Sequence, residues 1–242
     1  MALKPGKVDA MIINREKSVI PACDVETLDE LKRLVKATCG IEGIGAYKIG
    51  FELVIPYGMK RVIEEIRSLT DLPIIYDHQK AGTDIPTTGE KFMRACGRAD
   101  AVIIFPQAGP VTEEAWIIAA QKRGMPIIVG GEMTHAGYLA SEKGFLADDM
   151  PERAYKIAAN LGVCDYVVPG NKPHMILKYR KMFEKMGITP VFYSPGLIAQ
   201  GGTLSEGAQA AGQYWHAIVG RAIYEAKDME KAARELIKEL PE

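Results

Sequence analysis

The sequence predicts a single (β/α)₈ (TIM) barrel, and three observations lead to that prediction. Short apolar runs alternate with amphipathic stretches along the whole chain, a pattern typical of parallel strands covered by helices on both faces. Eight strand candidates of this kind can be found. The length of 242 residues also fits a closed barrel, which commonly needs roughly 250 residues.

The first strand candidate is 18–25, and the helix after it begins with a capping box formed by Thr27 and Glu30. The second strand candidate is 46–53, and the third is 72–77. The remaining strand candidates are 99–105, 125–133, 164–169, 189–194 and 215–220. Later helices are expected at about 88–97, 112–123, 151–161, 174–186, 204–212 and 228–240. No linker interrupts this pattern, so residues 1–242 are interpreted as one domain, with a short helical segment at about 8–16.

The composition excludes several classes of protein. The chain is 48% hydrophobic and 25% charged, with a net charge of −1. The balanced charge argues against a nucleic-acid-binding protein, which normally has a basic excess. No apolar run approaches the roughly 20 residues of a membrane span, and the first residues lack the apolar core of a signal peptide. We therefore expect a cytoplasmic protein that binds neither nucleic acid nor membrane.

The cysteine and histidine spacings predict no metal site. Cys23, Cys39, Cys96 and Cys164 lie far apart without a CxxC pair, which indicates reduced thiols rather than metal ligands or a disulfide framework. The four histidines show no HExxH or other ligand spacing. No metal and no cofactor are predicted.

Polar residues cluster where the predicted strands end. In a (β/α)₈ barrel, the loops at the carboxyl ends of the strands meet at one mouth and carry the active site. The polar positions at these ends are Asp24, Lys48, Asp77 to Asp84, Glu132 to Thr134, Pro169 to Asn171, Ser194 to Gly202, and Gly220 with Arg221. We expect them to converge on one site.

Two loops near the end of the chain have the properties of a phosphate site. The glycine-rich "SPGLIAQGGT" (194–203) lies between a strand and a helix, where exposed backbone N–H groups can bind an anion. "VGRAIY" (219–224) adds the cationic Arg221 from the next strand. Phosphate sites of these barrels often lie between the loops after strands 7 and 8, so phosphate binding is favoured over a tight turn with a surface arginine.

The segment "YDHQKAGTDIPTTG" (76–89) is unusually rich in charge. Asp77, Lys80 and Asp84, with Lys48 on the neighbouring strand, would form an alternating array of carboxylates and ammonium groups. Burying such charges is costly unless each is paired. Spacing alone leaves two interpretations open, an array assembled for catalysis and a solvated cluster of salt bridges.

The chain resembles the orotidine 5′-phosphate decarboxylase family, particularly its short archaeal-type members, from "PACDV" to "VGRAIY". "YKIGFEL" is similar to the strand-2 lysine segment, "DIPTTG" to an Asp-Ile-Pro-x-Thr stretch and "EMTHAG" to a Met-Ser-His-x-Gly stretch. "SPGLIAQGG" and "VGRAIY" resemble the phosphate-binding pair. The resemblance implies a cofactor-free homodimer that decarboxylates orotidine 5′-phosphate in pyrimidine biosynthesis.

The resemblance also implies roles for individual residues. Lys48, Asp77, Lys80 and Asp84 would be the catalytic tetrad, with Lys80 as the proton donor. Asp84 and Thr88 would reach into the partner subunit's site. The other substrate-binding residues would be Asp24 on the ribose, Met133 and Thr134 at the pyrimidine, and Pro195, Gly196, Gln200, Gly201, Gly202, Gly220 and Arg221 at the phosphate.

The chain departs from the family pattern in two places. "DHQK" and "KAGTD" each hold one residue more than the family has between its tetrad members. One inserted residue turns strand side chains to the opposite face, so Asp77 can share a site with Lys80 only if a bulge or an early strand end absorbs it; otherwise His78 takes its place. Ile198 stands where the phosphate loop usually has glycine.

Two alternative functions remain at this level. One is a metal-dependent phosphosugar enzyme of the hexulose-phosphate synthase or ketogulonate-phosphate decarboxylase type, although such enzymes carry an acidic residue where this chain has Lys48. The other is a barrel that binds a phosphate ligand without catalysis, because the insertions have disrupted the tetrad.

Overall fold

The structure, a computed structural model, describes residues 11–78 and 83–241. Eight parallel strands form one sheet in the order β1-β8-β7-β6-β5-β4-β3-β2. The strands are β1 (Lys17–Pro21), β2 (Tyr47–Ile49), β3 (Ile74–Asp77), β4 (Ala101–Ile104), β5 (Ile127–Gly130), β6 (Asp165–Val167), β7 (Val191–Ser194) and β8 (Tyr214–Val219). Hydrogen bonds also join β1 to β2, from Cys23 N to Lys48 O at 2.8 Å and from Gly45 N to Val19 O at 3.0 Å. The sheet therefore closes, and the predicted (β/α)₈ barrel is confirmed.

Helices follow every strand of the barrel. They are α1 (Leu28–Thr38), α2 (Phe51–Tyr57), α3 (Met59–Arg67), α4 (Gly89–Ala95), α5 (Pro110–Lys122), α6 (Met150–Asn160), α7 (Pro173–Lys185), α8 (Leu204–Ala211), α9 (Arg221–Tyr224) and α10 (Met229–Lys238). The predicted capping box of α1 is present, since Glu30 N donates to Thr27 Oγ1 at 3.2 Å and Thr27 N donates to Glu30 Oε2 at 3.1 Å. The later helices begin and end within about two residues of the predicted bounds.

The second strand is shorter than predicted. It ends at Ile49, and 51–57 form helix α2 instead of extending the strand to residue 53. The helix starts because the backbone turns after Gly50, whose carbonyl accepts from Val54 N at 3.2 Å. Only Leu53 of this helix is buried, whereas Phe51 and Ile55 are exposed. The prediction of one continuous strand over 46–53 was therefore wrong.

The predicted helical segment at 8–16 is not formed by its described part. Residues 12–16 are bends, and residues 8–10 lie outside the described residues. Ile13 is buried in the barrel interior beside Ile20 and Ala46. The carbonyl of Glu16 accepts from Trp215 N at 2.8 Å. The backbone at Glu16 therefore continues the pairing of β1 with β8, so this carbonyl is not available for a helical hydrogen bond.

Alternating residues of each strand face opposite sides of the sheet. On β3, Tyr76 packs in the outer core between strands and helices, whereas Ile75 packs inside the barrel. Ile20, Ile103, Ile128 and other inward residues fill the interior below the carboxyl ends of the strands. Side chains two positions beyond such inward residues consequently point into the mouth of the barrel.

Candidate active site

A cavity of about 500 Å³ opens at the carboxyl ends of the strands. Its lining comes from the ends of all eight strands, although the predicted residues 169–171 are not part of it. The predicted site residues among its lining are Asp24, Lys48, Asp77, Met133, Thr134, Pro195, Gly196, Gln200, Gly220 and Arg221. Residues far apart in the sequence therefore share one site.

Lys48 is the charged centre of this cavity. Its Nζ donates to Asp24 Oδ1 at 2.9 Å and lies 3.5 Å from Asp77 Oδ2. The side chains of Lys48 and Asp77 are only 6% and 3% exposed. Burial alone would lower the pKa of Lys48, but the attraction of Asp77 and Asp24 outweighs it and raises the pKa above the ordinary value. The amine is thus cationic at neutral pH and fixed between two carboxylates.

Asp77 points into the cavity, and His78 points away from it. Asp77 is the last residue of β3, and its side chain lies on the same side of the strand as that of the inward-facing Ile75. The Nδ1 atom of His78 is 2.5 Å from Tyr76 Oη, and its ring packs edge-on against Phe92 of α4. β3 ends at Asp77, as predicted, and the sharing of one site by Asp77 and Lys80 stays a prediction, because Lys80 lies outside the described residues. Between Asp77 and His78, Asp77 is the one beside Lys48.

The loops after β7 and β8 also contribute to the cavity wall. β7 and β8 are paired neighbours, so Gln200 and Arg221 come from adjacent loops. Gly196 has φ +86°, and a Cβ there would lie 2.5 Å from Thr134 Cγ2. The loop is closed by a hydrogen bond from Ile198 N to Gly202 O at 2.7 Å. This geometry provides a cation and a tight glycine turn where a phosphate group could bind.

Comparison with known proteins is decisive for the family. A model described as the orotidine 5′-phosphate decarboxylase / HUMPS family matches residues 17–236. The orotidine 5′-phosphate decarboxylase of Methanosarcina barkeri is 32% identical over 230 residues, which cover 94% of this chain and 96% of that protein. The corresponding protein of Methanococcus maripaludis is 30% identical over 214 residues, covering 87% and 92%. This chain belongs to the orotidine 5′-phosphate decarboxylase / HUMPS family.

Solved structures of family members have the same fold. The Methanocaldococcus jannaschii orotidine 5′-monophosphate decarboxylase complexed with the inhibitor BMP aligns with a TM-score of 0.81 and 26% identity, covering 94% of this chain and all of that one. The Pyrococcus horikoshii enzyme aligns with a TM-score of 0.75, also at 26% identity, covering 92% and 98%.

Some residues that the family resemblance singled out do not line the cavity. They are Asp84, Thr88, Gly201 and Gly202. Asp84 is exposed and accepts a hydrogen bond from Ile85 N at 2.7 Å, and Thr88 Oγ1 donates to Ile85 O at 2.7 Å. Gly201 and Gly202 shape the phosphate-type loop, since Gly201 has φ +88° and a Cβ on Gly202 would be 2.8 Å from Gly170 O. Lys80 lies outside the described residues.

The cavity also contains residues to which the sequence assigned no role. Phe105, Tyr224 and Phe51 are among them. Phe105 lies two positions beyond the inward Ile103, so the alternation of the strand could have identified it. With Ile103, Phe105 forms an apolar wall suited to a flat ring.

The remaining features of the described residues concern metals and membranes. Over 11–78 and 83–241, no group of three or more His, Cys, Asp or Glu side chains has an arrangement that could hold a metal ion. None of the helices in these ranges has both the length and the apolar composition needed to cross a bilayer.

Proposed function

We propose that this protein decarboxylates orotidine 5′-phosphate to uridine 5′-phosphate and so serves pyrimidine biosynthesis. The observation that carries the proposal is the buried Lys48 between Asp24 and Asp77, in a cavity whose lining also holds Gln200 and Arg221 from the loops after β7 and β8. A nucleotide monophosphate carries both an anionic phosphate and a reactive base, and these two groups of residues suit one each. The named activity of the family relatives supports the same reaction.

The phosphate end supplies binding energy far from the bond that breaks. Arg221 and Gln200, with the backbone N–H groups of the 195–202 loop, would hold the phosphate, since charged donors bind it strongly. Asp24 would accept from the ribose hydroxyl groups, and Met133 and Thr134 would contact the pyrimidine. This remote binding would hold the substrate carboxylate beside Asp77 and favour the later, carbanion-like state.

The chemical step needs one proton. The bond from pyrimidine C6 to the carboxylate breaks, carbon dioxide leaves, and the electron pair remains on C6. Lys80 would stabilise that charge as an ammonium and then transfer its proton to C6. Lys48 would keep Asp77 ionised, because the nearby positive charge stabilises the carboxylate.

The charge at Lys48 argues against a metal-dependent phosphosugar reaction. A divalent cation between Asp24 and Asp77 would occupy the place of the Lys48 ammonium, which is 2.9 Å from one carboxylate and 3.5 Å from the other. Like charges repel strongly in a buried site. The proposed chemistry therefore proceeds with the protein's own cation and no cofactor.

We expect the enzyme to be a cytoplasmic homodimer with shared active sites. Asp84 and Thr88 do not line the cavity of their own subunit and could contribute to that of a partner. Exposed apolar residues follow three neighbouring strands: Phe51 and Ile55 after β2, Ile85 after β3, and Val111 after β4. Such a surface favours association between subunits.

Purified protein should convert orotidine 5′-phosphate with loss of the orotate ultraviolet absorbance and formation of uridine 5′-phosphate. The rate should be unchanged after exhaustive EDTA treatment, because the cation is a lysine. Lys80→Ala should abolish turnover while retaining binding of uridine 5′-phosphate through the phosphate end. Activity that is lost with EDTA and restored by Mg²⁺ would instead support a phosphosugar-type enzyme, and phosphate-ligand binding without turnover would support a non-catalytic barrel.

A further inference from the structure

Lys172 joins two carboxylates, one of which belongs to the cavity-lining Glu132. Its Nζ donates to Glu132 Oε1 and to Glu142 Oε1, both at 3.0 Å. The side chain of Glu132 is 2% exposed, and its second oxygen accepts from Tyr179 Oη. Burial alone would lower the pKa of Lys172, but the hydrogen bonds to both carboxylates have the larger effect, so the pKa lies above its ordinary value. The ammonium is therefore charged and balances the buried Glu132.

Glu142 belongs to a long excursion between β5 and α6. This excursion spans residues 131–149 and leaves the barrel after β5. Glu142 Oε2 also accepts from Tyr138 N at 3.4 Å, and Tyr138 Oη donates to Gly131 O at 3.1 Å. The salt bridge from Lys172 thus ties the far part of the excursion back to its root at the end of β5.

The residues next to Lys172 contact both halves of the proposed substrate site. Asn171 Nδ2 donates to Thr134 O at 3.0 Å. Gly170 N donates to Pro195 O at 2.8 Å. The segment 170–172 therefore connects the pyrimidine side, at Thr134, with the phosphate side, at Pro195.

We propose that Lys172 is a positioning residue, which acts through Glu132 and Glu142 to hold the 131–149 excursion, and with it Thr134, in the conformation that binds the substrate. This inference rests on the proposed function for its kinetic consequences. The arrangement of the excursion itself can be measured without any substrate.

Loss of this bridge should affect binding more than the chemical step. Without Lys172, the buried Glu132 carboxylate loses its counter-charge and the excursion samples other conformations. The apparent affinity falls in proportion to the fraction of competent molecules, whereas saturating substrate draws the population back to the competent state. We expect KM for orotidine 5′-phosphate to rise about tenfold in Lys172→Met, with kcat changed less than about threefold.

Hydrogen exchange tests the positioning role directly. In Lys172→Met, the amides of residues 134–146 should exchange about tenfold faster than in the wild type, because a local opening becomes easier. Lys172→Arg should restore slow exchange and a low KM. The matched control is Lys178→Met on α7, the helix that Lys172 precedes; this change removes a 2.8 Å ion pair with Glu152 at an exposed position. Its exchange at 134–146 should equal that of the wild type.

If Lys172→Met fails to fold, Glu142→Gln provides a second variant in which the same bridge is broken. Glu142 is 31% exposed, and its substitution leaves the buried Glu132–Lys172 pair intact. Faster exchange at 137–146 in this variant supports the proposal. Unchanged exchange in Glu142→Gln and in a folded Lys172→Met overturns it, as does an equal effect of Lys178→Met. Absence of turnover in the wild type would refute the proposed function alone, because the exchange result does not depend on substrate.

Discussion

At the scale of single residues, the side of β3 on which a side chain lies decides whether it can act on a ligand. Asp77 is beside Lys48 in the cavity, whereas His78 contacts Tyr76 and Phe92 outside the barrel. Asp77→Asn should lower kcat/KM by about 100-fold or more, the size expected when a preorganised charge is lost from an active site. His78→Ala should change it less than about threefold.

Steady-state kinetics of both variants, with thermal melts to verify folding, check this expectation. A damaging His78→Ala together with a tolerated Asp77→Asn would mean that the histidine is the functional group and that the geometry of β3 has been misjudged.

A second residue, Glu113 of α5, should make stability depend on pH. It is 2% exposed, and its Oε1 has no hydrogen-bond partner among the described residues. Burial, with a smaller effect from Glu114, raises its pKa from 4.5 to about 8. Because the folded protein holds this proton more tightly than the unfolded chain does, the protein is most stable below the pKa of the unfolded chain. That stability is lost as the pH rises through the pKa of the folded protein.

The free energy of unfolding should therefore fall between about pH 5 and pH 9, and Glu113→Gln should remove much of that decline. A pKa difference of one corresponds to about 1.4 kcal/mol, so the variant should exceed the wild type by at least roughly that amount at the alkaline end. Urea denaturation across this range measures the difference. The exposed neighbour supplies the control: Glu114→Gln should follow the wild-type curve, and an equal effect there would exclude burial as the cause.

At the scale of elements, the loop between β7 and α8 contains local backbone strain. Ile198 has φ +59°, a conformation that costs a residue with a Cβ about 1–2 kcal/mol. The closed form of the loop imposes it, because Ile198 N bonds to Gly202 O at 2.7 Å and Gly201 N bonds to Ile198 O at 3.0 Å. The Ile198 side chain is half-exposed and does not line the cavity.

Ile198→Gly should therefore raise the free energy of unfolding by up to about 1 kcal/mol, since relief of the strain exceeds the extra chain entropy of glycine. Activity should stay within a few-fold of the wild type. Thermal or urea denaturation of Ile198→Gly and of Ile198→Val, which keeps the branched side chain, provides the comparison. A glycine variant less stable than the valine variant would show that the side chain stabilises the loop more than the conformation costs.

At the scale of the whole molecule, the position of Asp84 predicts that each active site depends on residues from both subunits. Asp84 is exposed and absent from the lining of its own cavity. If each site takes Lys80 from one subunit and Asp84 from the other, Lys80→Ala and Asp84→Ala should each be inactive alone. In a 1:1 mixture after exchange, half of the dimers would be mixed, and each would hold one intact site, giving about a quarter of the wild-type activity.

Subunit exchange must be verified with differently tagged chains before the assay. Verified mixed dimers without activity would refute the shared site, and a wild-type protein that is monomeric by light scattering would refute the dimer itself.

The sequence by itself determined the barrel and most of the residues around its mouth. The eight apolar runs fixed the number of strands, because a strand buried on both faces must be apolar at nearly every position. The polar residues at strand ends identified Asp24, Lys48, Asp77 and Arg221, since every parallel strand of a barrel delivers its carboxyl end to the same face. These features depend on local composition and on order along the chain.

Only the tertiary structure decided where the chain leaves each strand and what packs beside it. The segment 46–53 is mostly apolar, yet it becomes strand and then helix, because pairing with β3 ends at Ile49. The choice between Asp77 and His78 depended on the end of β3. The bridge of Lys172 to Glu132 and Glu142 joins residues 40 and 30 positions apart, respectively. Such contacts are formed when distant loops fold against one another, and the spacing of the residues along the chain carries no record of them.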